Sequence, residues 1–503
     1  MNFRHSAIAA AVCVLVLARV NADDLNKQLR VSPDGHFLMQ PDGQPFFWLG
    51  ENGWELFHRP DRAEVDTYLR DRARKGFNII LAVLGGVNGG TNRYGNEVFL
   101  DHDPARPNPR YFENVDWIVD QAAHYGLRMA IVATWTPGVQ TKGPGYGQGP
   151  KIFNSANAEI YGRWIGARYR GKGIVWILGG DSNPLWPEAG FAAPEPIMDF
   201  RPLYDAMAKG INQGNGAPAF ITYHPSCCSF PGTAPPLTSV YLGNRSWLTM
   251  NMLQSSHYVH PAPTVQTEVG FNFSWLGPFN YEPIYEEYTA RPTRPIVDGE
   301  ARFEGLTIDN DPPRLKEKGV WTGYDARNAA YHAVFAGAAG HTYGNHSIWQ
   351  FYDPSHNKPE EPGSLDLPWP EALEHPVSGQ LHHLKDLMLS RPYFTRIPDQ
   401  SLIVGEAGQG TEHTGATRDR EGRYAMIYVP QGRPIIVDLS KLSGAYTVGW
   451  WFDPDTGAAT RIEGSLSTKS AQRFRPPSDG ATRDWVLVLD DGGQGFAAPG
   501  ARP

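Results

Sequence analysis

The sequence predicts an α/β protein, a closed (β/α)8 TIM barrel followed by a small C-terminal antiparallel β-sandwich. Three observations carry that prediction. Up to about residue 395, short β-rich runs alternate with amphipathic helical stretches. Eight such runs can be placed, and most are apolar on both faces, as parallel strands covered by helices are. Beyond that point the helical period disappears, and short strands separated by turn signals take over. A doubly wound open sheet is the competing topology, but no G-x-G-x-x-G follows the first strand, which removes its commonest nucleotide-binding form.

The first run is Phe46-Phe47-Trp48-Leu49-Gly50. A helix follows, with Asp61 as N-cap, Glu64 three residues on and Gly76 as the stop, and with Val65, Tyr68, Leu69 and Ala73 on one face. Next come a strand over 78–84, a helix over 113–125 that buries Val115, Ile118, Val119 and Ala122, and a strand from Met129 to Trp135. The series continues with a helix over 157–170, strand Ile174 to Leu178, a helix over 201–211, and strands Ala219 to Tyr223, Trp247 to Leu253 and Pro295 to Val297. A helix over 325–339 precedes the eighth strand, His341 to Phe351. Loops rich in Gly, Pro and Asn follow several strands, at 85–95, 136–150, 225–236 and 276–281. In a barrel, loops at that end of the strands build the active-site face. In the second domain, Arg423 to Val429, Pro434 to Leu439, Tyr446 to Phe452 and Trp485 to Leu489 read as strands, with a turn at Asp453-Pro454-Asp455-Thr456-Gly457. The expected division is a signal peptide over 1–22, the barrel over 23–394, the sandwich over 395–491 and a disordered tail over 492–503.

Composition narrows the function. With 41% hydrophobic and 19% charged residues, the chain can bury a large core. The net charge of −8 comes without a basic block, which disfavours nucleic acid or an anionic membrane surface as partner. At the N-terminus, Arg4 and His5 flank an apolar run from Ala7 to Ala18, and Val20-Asn21-Ala22 fits a cleavage site, so export and a mature chain starting near Asp23 are expected. That run is shorter than a bilayer span, and no membrane insertion is expected. Cys13 goes with the signal. The neighbours Cys227 and Cys228 cannot form a disulfide framework; they either close a vicinal ring or stay as two thiols.

Two carboxylates stand at predicted strand ends, where barrel enzymes place their chemistry. Ile174-Val175-Trp176-Ile177-Leu178-Gly179-Gly180-Asp181 is an apolar strand that opens through two glycines into an acid, and Pro295-Ile296-Val297-Asp298-Gly299-Glu300 repeats the design. Glycosidic cleavage needs one carboxylic acid to protonate the leaving oxygen and one carboxylate to meet the charge that develops at the anomeric carbon. Caps and loop salt bridges are the bland reading of such acids.

Four segments add to this reading: Trp48-Leu49-Gly50-Glu51-Asn52-Gly53-Trp54, Gly179-Gly180-Asp181-Ser182-Asn183, Asp298-Gly299-Glu300 with Phe303-Glu304, and Ala338-Ala339-Gly340-His341-Thr342-Tyr343-Gly344. They resemble those of the apiosidase-like glycoside hydrolases, glycoside hydrolase family 140, in the family's order and over about residues 30–390. The region after 395 resembles the sandwich, labelled a collagen-binding type, that follows this barrel. A carboxylate pair about 5–5.5 Å apart gives retention and one about 6.5–9.5 Å apart inversion, and a retaining, exo-acting hydrolase is the favoured expectation. The resemblance implies that Asp181 is the acid/base and Glu300 the nucleophile. It also implies an apiose-like sugar on a plant cell-wall (pectic) or other complex polysaccharide as substrate. After Tyr223-His224-Pro225, where small residues are expected, this chain has Ser226-Cys227-Cys228.

Glu51, Trp54, Asn88, Trp135, Asn183, His224, His257, His346 and Trp349 lie at or just beyond predicted strand ends. Rings for sugar C–H faces and polar groups for hydroxyls make them the candidate substrate-binding set. The histidines show no H-E-x-x-H spacing and sit on separate elements, so they are read as hydrogen-bonding groups, with no metal and no cofactor expected. No G-x-S-x-G elbow supports a serine hydrolase. Two other readings stay open: a non-catalytic carbohydrate-binding protein on the same fold, and a polysaccharide lyase. Turnover of an activated aryl glycoside separates the first from a hydrolase, and release of unsaturated sugars reveals the second. The second domain is read as a packing partner of the barrel.

Overall fold

The computed structural model describes residues 25–87, 89–135, 152–187, 196–229, 233–259, 272–273, 275–359, 367–464, 466–468 and 470–501. The expected signal segment lies outside them. The main sheet of the first domain has eight strands: β1 (Trp48–Asn52), β2 (Ile79–Val83), β3 (Arg128–Val132), β4 (Val175–Leu178), β5 (Phe220–Tyr223), β6 (Asn251–Gln254), β7 (Ile296–Glu300) and β8 (Gly340–Tyr343). They pair in the order β5-β4-β3-β2-β1-β8-β7-β6, each pair parallel. The two ends then meet, the Thr249 N–H donating to the Ile221 carbonyl at 2.8 Å and the Thr222 hydroxyl to the Met250 carbonyl at 2.7 Å. The sheet is a closed TIM barrel.

Eight main helices follow the strands: α1 (Arg62–Arg74), α2 (Pro109–His124), α3 (Ser155–Arg168), α4 (Arg201–Asn215), α5 (Thr238–Leu242), α6 (Tyr281–Thr289), α7 (Gly323–Phe335) and α8 (Pro376–Leu389). Local chemistry sets their ends. Asp61 and Glu64 close a capping box on α1, as expected, and Gly216 at φ 75° ends α4. Helices α3 and α4 approach closely because glycines face each other; a Cβ on Gly162 would lie 2.4 Å from the Met207 carbonyl oxygen.

Strand residues alternate between two apolar clusters. Trp48, Ile79, Leu81, Val83, Ala130, Val132, Val175, Ile177, Met252 and Val297 fill the barrel interior. Leu49, Ile80, Ala82, Met129, Ile131, Trp176, Leu178 and Ile221 face the helices. Three local expectations are corrected. The eighth strand stops at Tyr343 because Asn345 caps a short helix, His346–Trp349, accepting from the Ser347 and Ile348 amides. Helices α5, α6 and α8 lie in segments where no helix is expected from sequence. The tail is not disordered: over 492–501 it packs back, the Arg391 guanidinium sitting 4.8 Å over the Phe496 ring and donating to the Ala497 carbonyl.

The second domain has strands β9 (Arg396–Pro398), β10 (Gly415–Asp419), β11 (Tyr424–Pro430), β12 (Ile435–Asp438), β13 (Thr447–Phe452), β14 (Ala459–Arg461), β15 (Ala471–Phe474) and β16 (Asp484–Asp491). An antiparallel sheet of order β9-β10-β11-β16-β13-β14 faces the pair β12-β15. Ala425, Ile427, Val429, Leu487 and Leu489 point into this sandwich. The opposite face of the same strands, Met426, Tyr428, Val486 and Val488, joins the barrel's outer core with Tyr331 and Phe335 of α7. Arg327 on α7 grips Asp484 with two bonds, of 3.1 and 2.8 Å, and Tyr428 donates to the same carboxylate at 3.0 Å. The domains therefore share one core. Among the described residues, no helix is long and apolar enough to cross a membrane.

Candidate active site

Both predicted acids stand at the C-terminal mouth of the barrel, each placed there through a local backbone irregularity. After β4, Gly179 turns with φ 66° and Asp181 takes φ 55°, a left-handed conformation that a non-glycine residue rarely adopts outside sites that need it. Gly180 must lack a side chain, since a Cβ there would lie 2.2 Å from the Trp135 ring. On β7 the pairing with β6 shifts register, so that Met252 opposes Val297 and Leu253 opposes Asp298, but Gln254 opposes Glu300. Strict alternation would turn Glu300 outward along with Asp298. This bulge brings it to the same side as Gln254 instead. Asp298 stays behind the sheet, fully buried, with the Asn280 amide donating at 3.4 Å, and burial pushes its carboxyl up to about 6.

Three side chains surround the Glu300 carboxylate. The Gln254 amide donates to Oε1 at 2.9 Å, His257 Nε2 lies 3.0 Å from the same oxygen, and His224 Nε2 lies 3.3 Å from Oε2. Burial works against ionisation here, but the two imidazoles outweigh it and hold the carboxyl below the ordinary range. His224 also links the two acids: its Nδ1 accepts the Asp181 backbone N–H at 3.5 Å, which leaves Nε2 to carry the proton facing Glu300.

Aromatic rings wall this centre. Trp54 meets His224 edge-on at 5.6 Å, and Trp135 packs against both, 5.3 Å from Trp54 and 5.8 Å from His224. The indole nitrogens of Trp54 and Trp135 are buried and make no hydrogen bond among the described residues. Trp349 donates to His346 Nδ1 at 3.4 Å, and burial pushes the His346 imidazole down to about 3, so it is neutral and carries its proton on Nε2. That nitrogen too is buried and unpaired among the described residues. Asn183 is directed at the neighbouring loop, its amide donating to the Cys228 carbonyl at 2.7 Å.

One member of the expected set, Glu51, is not in this cluster. Glu51 follows Leu49 onto the outer face of β1, where both carboxylate oxygens accept from Arg72 Nη1 of α1, at 3.0 and 2.9 Å. It is a strand-to-helix brace, and its expected substrate contact is withdrawn. Asn88 lies outside the described residues. Gln254 was missed, although the rule that found Asp181 applies to it, since it is the residue at which apolar β6 ends. Asn52, whose amide donates to the Gly299 carbonyl at 3.2 Å beneath Glu300, was missed as well.

Solved enzymes share this architecture over almost the whole chain. A crystal structure of a glycoside hydrolase family 5 protein from Bacteroides vulgatus ATCC 8482 is 29% identical and covers 95% of this chain and 96% of its own, with a TM-score of 0.79. A second structure, described as a glycoside hydrolase, is 30% identical over 94% of this chain and 98% of its own, with a TM-score of 0.78. The protein is a glycoside hydrolase. Residues 32–395 match the family described as "Apiosidase-like, catalytic domain", and the chain belongs to that family. Residues 397–490 match a family described as "Putative collagen-binding domain of a collagenase". No curated protein shows significant similarity to the chain.

Proposed function

We propose that the protein is an exported, retaining exo-glycosidase that removes apiose or a related pentose or deoxy sugar from pectic or other complex polysaccharide, with Asp181 as acid/base and Glu300 as nucleophile. The observation that carries this reading is the Glu300 carboxylate, kept anionic and fixed by Gln254, His257 and His224. An anion held in this way is suited to attack an anomeric carbon. In the first step Asp181 gives its proton to the leaving oxygen while Glu300 bonds to the sugar. In the second, Asp181 takes a proton from the water that releases the glycosyl group. The buried indole and imidazole N–H groups of Trp54, Trp135 and His346 supply donors for sugar hydroxyls.

A screen of oligosaccharides with product analysis, repeated on Asp181→Ala and Glu300→Ala, tests the assignment. Each variant is expected to lose roughly a thousandfold or more of kcat/KM. Either one keeping most of its turnover overturns the roles. NMR of the first-formed anomer tests retention, and an inverted product refutes it. The mass of the chain recovered from the medium or periplasm tests export, with an N-terminus near Asp23 expected.

A further inference from the structure

Cys227 and Cys228 are joined by a disulfide, in the loop after β5. This closes the choice that sequence leaves open. Both residues are buried and pack against Tyr258 of the next loop, while Cys228 and Ser229 pair antiparallel with residues 272–273. Two of the ring's backbone polar groups bond side chains of the site. The Cys227 N–H donates to Gln254 Oε1 at 2.7 Å, and the Cys228 carbonyl accepts from Asn183, two residues after Asp181, at 2.7 Å.

An amide side chain can be turned either way, and the Cys227 N–H decides the matter for Gln254. An N–H can only donate, so Gln254 must present its oxygen there and its NH2 to Glu300. The flipped amide would set its oxygen against a carboxylate and leave a buried N–H facing another donor. We infer that the Cys227–Cys228 disulfide turn is a positioning element of the reaction, fixing through Gln254 the donor that faces the nucleophile and through Asn183 the loop that carries the acid/base. The inference rests on the roles given to Asp181 and Glu300 above.

Its signature is the ionisation of Glu300. That group is faced by His224 after β5, His257 after β6, Asp181 through His224, Asp298 on its own strand, and His346 beyond His257. Opening the ring changes the chemical identity of none of them. Losing one donor to the carboxylate raises its pKa, and the acidic limb of kcat/KM reports that pKa in the free enzyme.

The test measures pH profiles of the full chain as wild type, as Cys227→Ser/Cys228→Ser, as Gln254→Leu, and as the three changes combined, on a glycoside the wild type cleaves. The serine pair and Gln254→Leu are each expected to move the acidic limb up by about 0.5–1 pH unit and to lower kcat about tenfold, with KM within about threefold. Because the ring reaches Glu300 through Gln254, the acidic limb of the combined variant should coincide with that of Gln254→Leu alone. A serine pair with the wild-type limb and kcat, or limb shifts that simply add, overturns the inference. Should the serine pair not fold, the folded wild type reduced with a phosphine and the Gln254→Glu variant replace it. The glutamate keeps the acceptor for Cys227 but removes the donor to Glu300, so an unshifted limb in both overturns the inference. Glu300→Ala run alongside separates the failures: if it remains active the site assignment has fallen, and if it is dead while the limb stays put, only the role of the disulfide has.

Discussion

Arg72 and Glu51 offer a sharp test of which side of the barrel wall a conspicuous acid serves. Both side chains are fully buried, and the guanidinium also bonds Asp71 at 3.0 Å. Replacing Arg72 with leucine strands the Glu51 carboxyl between β1 and α1, whereas removing both charges as Glu51→Leu/Arg72→Met leaves an apolar contact. Breaking a buried pair costs about 3–5 kcal/mol, while exchanging the whole pair for apolar groups is close to neutral. With an unfolding entropy of about 2 cal/mol/K per residue, the first figure lowers the melting temperature of a barrel of this size by about 5 °C. Thermal melts at pH 7 should therefore place Arg72→Leu about 5 °C below wild type and the double variant within about 2 °C. At a temperature where all are folded, kcat/KM should agree within about threefold, since neither group reaches the sugar side. A Glu51→Gln protein with wild-type melting and a KM raised tenfold would refute the argument and return Glu51 to the substrate.

Glu287 is buried between α6 and β6, accepting from Asn251 at 2.6 Å and from the Ser239 amide at 3.0 Å, and burial pushes its carboxyl up to about 7. A folded-state value above the unfolded one means stability is fully present below about 4.5 and lost as pH rises through about 7. Glu287→Gln should therefore flatten the fall of unfolding free energy between those values by up to about 1.4 kcal/mol per pH unit; an unchanged slope in urea titrations refutes it. Gly180→Ala puts a methyl 2.2 Å from the Trp135 ring and should cut kcat/KM about 10- to 100-fold with a changed near-ultraviolet tryptophan signal; wild-type kinetics would show that the wall yields freely. Asp484→Ala takes from Arg327 its two-bond carboxylate partner at the domain junction, leaving Gln380 and the more distant Asp455, and should cost about 3 kcal/mol, seen as an earlier melt in both domains at once; a sandwich that melts alone would refute the shared core.

Much of this architecture was legible because parallel strands and their helices leave strong periods. The Asp61 cap on α1, the Gly-Gly-Asp opening of β4 and the change of pattern near residue 395 all came through. Side-chain direction did not. Strands apolar on both faces hide which parity points inward, so Glu51 read as a cleft residue although Trp48 sets the opposite phase. Glu300 reaches the mouth only through a register shift that no local spacing announces. Gln254 went unnoticed because a neutral amide carries no chemical flag until its partners are known. Helix α6 was lost because it is 9 residues long and contains Pro283.

The face that β11 and β16 present to α7 bears on how this protein is inherited and engineered. Severing the chain near residue 395 would bare Tyr331 and Phe335 to water and strip Arg327 of its counter-charge, so the catalytic module has no clean border at which to be excised. Fusion or shuffling schemes must carry the trailing module along, or re-surface α7 before discarding it.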